Sequence, residues 1–430
     1  MSSSEYEFSK TSKKIFGLSN NKKVESLSST EKVGKPGYFQ GGDIPVAKYK
    51  DKEGFLRLEV NATSAILMTG PSGAGKTTAD MAIATRLHNQ GRMPVNMADT
   101  DLHFANLDNN GGVAKSLQNA MGLYKGEFPK EIDQKVLLPK YLADRIQKVP
   151  STVEKFTLGF QDVSDSDLKF LLGQGMDRKQ KMQLEGVVQQ TSMEELSEKD
   201  SPFEYLKRLV EEDEKIHANA EPSFKGNIDV LKKREIISNR YRKDIPRFVD
   251  EGYALSLGMK GFGRLERDDY YLMEFYAKKF TKKLIDAKRN NRVDSSLIGV
   301  LPEAHHLMPA GGDSDFSDIV KRSLTFYQRR SDFPMIFDTQ NPSQLPKKIL
   351  DEINSVFIGC SRNGKSLAKS EWTTVLNKLN VVSSHQGEYQ DWSRKIQGLS
   401  HRDFLYVSPR MSGVRDAEVV RFLAPLTSNP

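Results

Sequence analysis

The chain has 430 residues, 37% of them hydrophobic and 28% charged, with a formal net charge of +7 and one cysteine, Cys360. That length buries a sizeable core in one large domain or two of ordinary size, and the charge permits contact with nucleic acid without demonstrating it. Excluded are an intrachain disulfide, a cysteine-based metal cluster and an integral membrane segment, since no run nears the roughly 18–20 apolar residues that cross a bilayer.

Residues 1–40 are rich in Ser, Lys and Asn and read as a flexible tail. The tail lacks the apolar stretch of a signal peptide, so the cytoplasm is the expected compartment. From "GDIPVAKYK" onward the pattern turns globular. Short apolar runs bounded by Gly, Pro, Asp or Asn fall at Ala65–Thr69, Val95–Ala98, Leu297–Leu301, Met335–Phe337 and Val356–Ile358, with a sixth candidate at Tyr253–Met259. Continuous apolar runs suit strands buried on both faces, which predicts an α/β fold with a mainly parallel sheet. Residues 41–104 and 251–430 are then the two parts of one core. The stretch between the second and third runs is far too long for a single crossover helix, and residues 105–250 read as a mainly helical insertion. In it, Ser201 is placed to cap a helix with Pro202 at its first position and Glu204 at its third, and Phe203, Leu206, Leu209 and Val210 share one face. "SDSDLKFLLG" carries a second helix-start signal.

"GPSGAGKT", residues 70–77, fits the phosphate-binding pattern G-x-x-x-x-G-K-[ST]. An apolar strand precedes it and a helix-forming run, "TADMAIATRLHNQ", follows. Glycines let successive backbone N–H groups point at phosphate oxygens at the positive end of the next helix. Gly70, Pro71, Ser72, Gly73, Ala74, Gly75, Lys76, Thr77 and Thr78 are the candidate ATP-binding residues. Lys76 is expected at the β- and γ-phosphates and the Thr77 hydroxyl at Mg²⁺.

An ATPase of this kind needs a carboxylate on the Mg²⁺ side and a second one for the attacking water, usually paired as Asp-Glu at a strand tip. Here the strand "LIGVL" ends in Pro302-Glu303-Ala304-His305. Glu303 holds the position of the water-activating base, and Pro302 has no polar side chain for the other role. A second buried strand ends in Asp338-Thr339-Gln340, where Gln340 is placed to sense the γ-phosphate.

"LPEAHHLMP" followed by "FDTQNPSQLPKKILDEINSVFIG" resembles the HerA/FtsK superfamily of hexameric DNA-translocating ATPases, the HerA branch above all. The resemblance covers Ile44–Lys76 and about Tyr253–Ile358, and extends more weakly to the end, where "LSHRDFLYVSPRMSGVRDAEVVRFLAPLT" resembles the family's closing hairpin. It implies a RecA-like P-loop NTPase core, a hexameric ring, and ATP-driven movement on double-stranded DNA without sequence preference. A nuclease, portal or membrane protein is the kind of partner it implies. Departures are Pro302 in place of the first acid, no room for a barrel ahead of the P-loop, and a chain end, "TSNP", without the family's basic ending.

Alternation on a strand puts Asp338 and Gln340 on one side, which would let Asp338 approach the metal from the neighbouring strand tip. Asp99 and Asp101 are other possible donors, and Thr77, phosphates and waters alone can also hold Mg²⁺. Ring ATPases often complete the site with an arginine from the next subunit. Arg322, Arg329 and Arg330 are candidates, the last two favoured. Adjacent His305 and His306 are expected to point apart and not to bind a metal; in the resembled family the match to His305 is structural or couples the site to DNA. Two basic segments, "DVLKKREIISNRYRKDIPR" and "YAKKFTKKLIDAKRNNR", are either solvated helix faces or DNA contacts. The leading expectation is a ring-forming DNA translocase. A secretion or pilus-type motor acting on protein, a hydrolysis-poor nucleotide-binding ring subunit and a small-molecule kinase are the alternatives.

Overall fold

Twelve strands form one sheet in the computed structural model, which describes residues 43–61, 64–99, 121–122, 132–145, 153–259, 270–310, 315–324, 333–361, 366–382, 386–409, 411 and 413–425. The strands are β1 (Asp43–Tyr49), β2 (Phe55–Glu59), β3 (Ala65–Thr69), β4 (Arg92–Asp99), β5 (Gln134–Pro139), β6 (Val153–Phe156), β7 (Ala254–Gly258), β8 (Ser296–Leu301), β9 (Met335–Thr339), β10 (Ser355–Gly359), β11 (Asp403–Val407) and β12 (Glu418–Phe422). Their order across the sheet is β2-β1-β12-β11-β10-β3-β9-β8-β4-β7-β5-β6. From β10 to β6 every neighbouring pair is parallel, and from β10 to β2 every pair is antiparallel.

The six apolar runs are β3, β4, β7, β8, β9 and β10. Every residue of β3, β7 and β9 is buried, as strands covered by layers on both faces must be. Helix α1 (Lys76–Asn89) leaves the end of β3 and covers one face, packing Ala79, Ala82, Ile83 and Leu87 on Ile66, Met68, Ile298, Val300 and Ile336. The other face carries the larger core, in which Leu67, Leu301 and Phe337 meet residues of the 153–250 stretch and of the Tyr270–Arg289 helix. Because side chains alternate, Ile336 and Asp338 look to the α1 face and Met335 and Phe337 to the other.

The 105–250 stretch is not helical throughout. Its described part contributes β5 and β6, which extend the parallel sheet beyond β7. The helix at Pro202–Glu212 begins where its sequence signals place it, with Leu206 and Val210 buried, although the Ser201 side chain makes no capping hydrogen bond. Ser164 does cap the Asp165–Leu172 helix, through a reciprocal box with Asp167. The final hairpin, β11 with β12, joins the N-terminal hairpin through β12 against β1. No described helix is long and apolar enough to cross a membrane.

Candidate active site

The loop between β3 and α1 is closed by its own backbone. Gly75, immediately before α1, has φ 94°, a left-handed conformation that glycine adopts without strain. Gly70 lies so close to β10 that an added Cβ would stand 3.0 Å from the Gly359 carbonyl oxygen and 3.1 Å from Ala74 Cβ. Ser72 and Gly73 are exposed, Pro71, Gly75, Thr77 and Thr78 half-buried, and Ala74 buried. The loop thus opens toward solvent at the head of α1, where backbone N–H groups and the helix dipole favour phosphate.

Lys76 is buried; its Nζ donates to the Gly70 carbonyl at 3.1 Å and lies 3.4 Å from Asp338 Oδ1. The parallel register sets that ion pair in context. Leu301 pairs with Phe337, so the next positions, Pro302 and Asp338, lie side by side on neighbouring strands. Asp338 also pairs with Met68 on the P-loop strand. A carboxylate is therefore present beside the proline, one strand nearer the P-loop. Burial pushes the Asp338 carboxyl up to about 7, against the pull of Lys76.

Glu303 follows β8 with φ 45° and ψ 47°, a conformation uncommon for a residue with a side chain. Its Oε1 accepts a 2.8 Å hydrogen bond from Gln340 Nε2, which ties the two strand tips together. Its Oε2 lies 3.5 Å from His305 Nδ1 and makes no hydrogen bond. His305 Nδ1 is 2.9 Å from the Thr339 hydroxyl, which also accepts from the Asn341 N–H at 3.0 Å. Burial, and then His306, lower the His305 pKa. The two histidines do not point apart: a tight turn at Ala304–His306 stacks their rings with centroids 4.1 Å apart. Glu303, His305 and His306 can bring one ligand atom each within 4.8 Å of one another. His305 is already held by Thr339, and its role on this geometry is to brace the turn that carries Glu303.

Lys76, Glu303, Asp338 and Gln340 thus converge at the C-terminal ends of β3, β8 and β9, the place where open α/β sheets bind ligands. Asp99 is the last residue of β4, and Asp101, Arg329 and Arg330 lie outside the described residues. Arg322 is exposed at the end of the Asp315–Arg322 helix. Sequence reading did not single out Asp80 or Thr339 for the site. Asp80 had a signal, an acid four residues past Lys76 and so on the same face of α1. Nothing marked Thr339 beyond its place at a strand end.

The site has what ATP with Mg²⁺ requires: an open N–H cradle, a lysine at its base, a half-buried threonine hydroxyl and carboxylate oxygens that lack partners. Asp338 Oδ1 is paired with Lys76 alone at 3.4 Å among the ion pairs of the described residues, whereas Glu303 Oε2, both Asp80 oxygens and Thr69 Oγ1 are buried without hydrogen bonds. Buried oxygens without partners are uncommon in folded proteins, and several of this chain's lie at the site.

The two basic segments meet each other across a cleft of about 500 Å³. Most of their cations are occupied there. Arg242 and Lys283 hold Asp162, Lys278 and Lys279 hold Asp167, Lys282 holds Asp286 and Arg247 holds Glu251. Of these pairs, Lys283 with Asp162 and Lys278 and Lys279 with Asp167 tie the 153–250 stretch to the Tyr270–Arg289 helix.

No family model and no curated protein sequence matches the chain. Solved structures do. VirB4 of Thermoanaerobacter pseudethanolicus superposes with a TM-score of 0.57 at 11% identity, over 90% of this chain and 97% of that one. The plasmid coupling protein TrwB bound to the GTP analogue GDPNP gives 0.46 at 12% identity, over 85% of this chain and 86% of that one. The genome packaging NTPase B204 from Sulfolobus turreted icosahedral virus 2, bound to sulfate, gives 0.33 at 9% identity, over 85% and 98%. The likeness to VirB4 is one of fold. With the strand order and the P-loop at the end of β3, it shows the fold of a RecA-like P-loop NTPase core.

Proposed function

We propose that the chain is an ATP-hydrolysing motor subunit that assembles into a ring and moves double-stranded DNA. The observation that carries the reading is the pair of Asp338 and Lys76 at 3.4 Å, with Asp338 in register beside Pro302. It supports a working ATPase despite the altered acidic strand, because a carboxylate is present where the metal side of the site needs one.

The residues divide the work as follows. The loop from Gly70 to Thr78 holds the phosphates through backbone N–H groups, and Lys76 leaves Asp338 for the β- and γ-phosphates. Thr77 and Asp338 would hold Mg²⁺, which when bound would neutralise charge developing on the phosphoryl oxygens. Glu303, freed from Gln340, accepts a proton from the attacking water through its carboxylate. Gln340, once it no longer donates to Glu303, is free to report the γ-phosphate. The Glu303–Gln340 hydrogen bond therefore describes a resting site, in which base and sensor satisfy each other. Arg329 or Arg330 of a neighbouring subunit supplies the remaining positive charge.

The +7 net charge supports a polyanionic partner. Residues 105–250 are proposed as an insertion that decorates this core. The test is binding of fluorescent double-stranded DNA of several sequences over a salt series, with a slowly hydrolysed ATP analogue, alongside sedimentation of the protein. The reading predicts ring-sized species and sequence-tolerant, salt-sensitive binding that Lys76→Ala weakens. Ring assembly and ATP turnover without DNA binding at low salt would instead mark a motor that acts on a protein partner.

A further inference from the structure

The first turns of α1 carry a group that the roles above do not use. Asp80 lies one helical turn past Lys76, on the face shared with Ile83, Ala84 and Leu87 that meets the sheet. Asp80 is fully buried, and neither of its carboxylate oxygens has a hydrogen-bond partner. It sits on the α1 face that packs against the same side of β9 as Ile336 and Asp338, and the charged groups that act on it are Asp338, Lys76 and Glu303. Burial, and then Asp338, push its pKa well above the ordinary aspartate value.

A buried acid without a partner costs stability, and a fold has no use for one on an otherwise apolar helix face. Three carboxyl groups here face one ammonium group. That imbalance, with the unpartnered oxygens of Asp80 and Glu303 beside the Asp338–Lys76 pair, fits a divalent cation rather than another protein side chain.

We propose that Asp80 is a metal-site residue, whose carboxylate joins that of Asp338 in replacing the acidic side chain missing at Pro302 and so helps to hold the Mg²⁺ that accompanies ATP. The proposal rests on the nucleotide-binding reading above. It adds that the compensation comes from the P-loop helix as well as from the neighbouring strand.

The test uses the full-length protein and compares wild type with Asp80→Asn, Asp80→Leu and the double variant Asp80→Asn/Pro302→Asp. The readouts are binding of a fluorescent ATP analogue with and without Mg²⁺, Mn²⁺ affinity by electron paramagnetic resonance, and thermal unfolding without metal. Asp80→Asn is expected to weaken cation affinity roughly 10–100-fold while leaving metal-free nucleotide binding intact. Both single variants are expected to raise the metal-free Tm by about 1–3 °C, and Pro302→Asp to restore cation affinity to Asp80→Asn. Unchanged cation affinity in both single variants would overturn the proposal. So would loss of folding in both, because that is the behaviour of a carboxyl kept for the fold. Failure of the wild type to bind nucleotide, or equal binding by Lys76→Ala, would bring down the nucleotide site itself, an outcome distinct from failure of Asp80 alone.

Discussion

At the scale of single residues, the site depends on which strand carries the metal-side carboxylate. Pro302 and Asp338 stand side by side, so moving the acid one strand toward the P-loop exchanges a polar tip at 302 for an ion pair with Lys76. Asp338→Ala is therefore expected to lower Mg²⁺-dependent hydrolysis roughly 10–100-fold and to change nucleotide affinity little. Rates and nucleotide dissociation constants measured side by side check this, and equal hydrolysis by the variant would remove Asp338 from the site. Glu303, Gln340 and Lys76 were legible as candidates because their residue types at strand and helix ends are what phosphoryl transfer needs. The sequence offered Asp338 only as a possible metal donor; its pairing with Lys76 was not legible, since it depends on β9 lying in register beside the P-loop strand β3. The orientation of His305 and His306 was misjudged because a tight turn, invisible in their spacing, brings the rings together at a tilt of 36°.

At the scale of elements, the P-loop and β10 are locked by contact rather than by bonds. An added Cβ at Gly359 would stand 2.7 Å from the Phe404 ring and 3.1 Å from Ala74 of the loop. Gly359→Ala is expected to destabilise the fold by about 1–3 kcal/mol and to weaken nucleotide binding, measurable by denaturant unfolding and by titration with ATP. A second locked point is Asp167, which caps one helix and holds Lys278 and Lys279 of another. Burial alone would raise its pKa, but Lys279 and Ser164 hold it below the ordinary 3.8. Its stabilising contribution is therefore present above pH 3.8 and fades as pH falls through the lowered folded-state value. Asp167→Asn should cost about 3–5 kcal/mol at pH 7, because it leaves Lys279 buried without its counter-charge. The gap to wild type should narrow in acid, and a gap constant with pH would contradict this assignment. The core strands were legible because burial on both faces writes continuous apolar runs. β5 and β6 were not: Gln134 and Lys135 open the first, and Glu154 and Lys155 fill the middle of the second.

At the scale of the whole molecule, the last described strand, β12, pairs with the first, β1, and the site lies at the C-terminal ends of β3, β9 and β8 within the run of eight parallel strands. In the ring proposed above, an arginine from a neighbouring subunit would complete the chemistry at this site and so couple hydrolysis to movement. The class of fold was legible from the P-loop and the two strand tips together; the partner of the proposed motor is a matter of surfaces, which composition and charge describe only in bulk. The most direct measurement is steady-state ATP hydrolysis by the purified protein, with and without double-stranded DNA, beside Lys76→Ala and Glu303→Gln. The account predicts DNA-stimulated turnover that falls by roughly 10²–10⁴-fold in Glu303→Gln and is lost in Lys76→Ala. Tight ATP binding without turnover, alone or with DNA, would contradict it and make Pro302 the mark of a ring subunit that holds nucleotide without hydrolysing it.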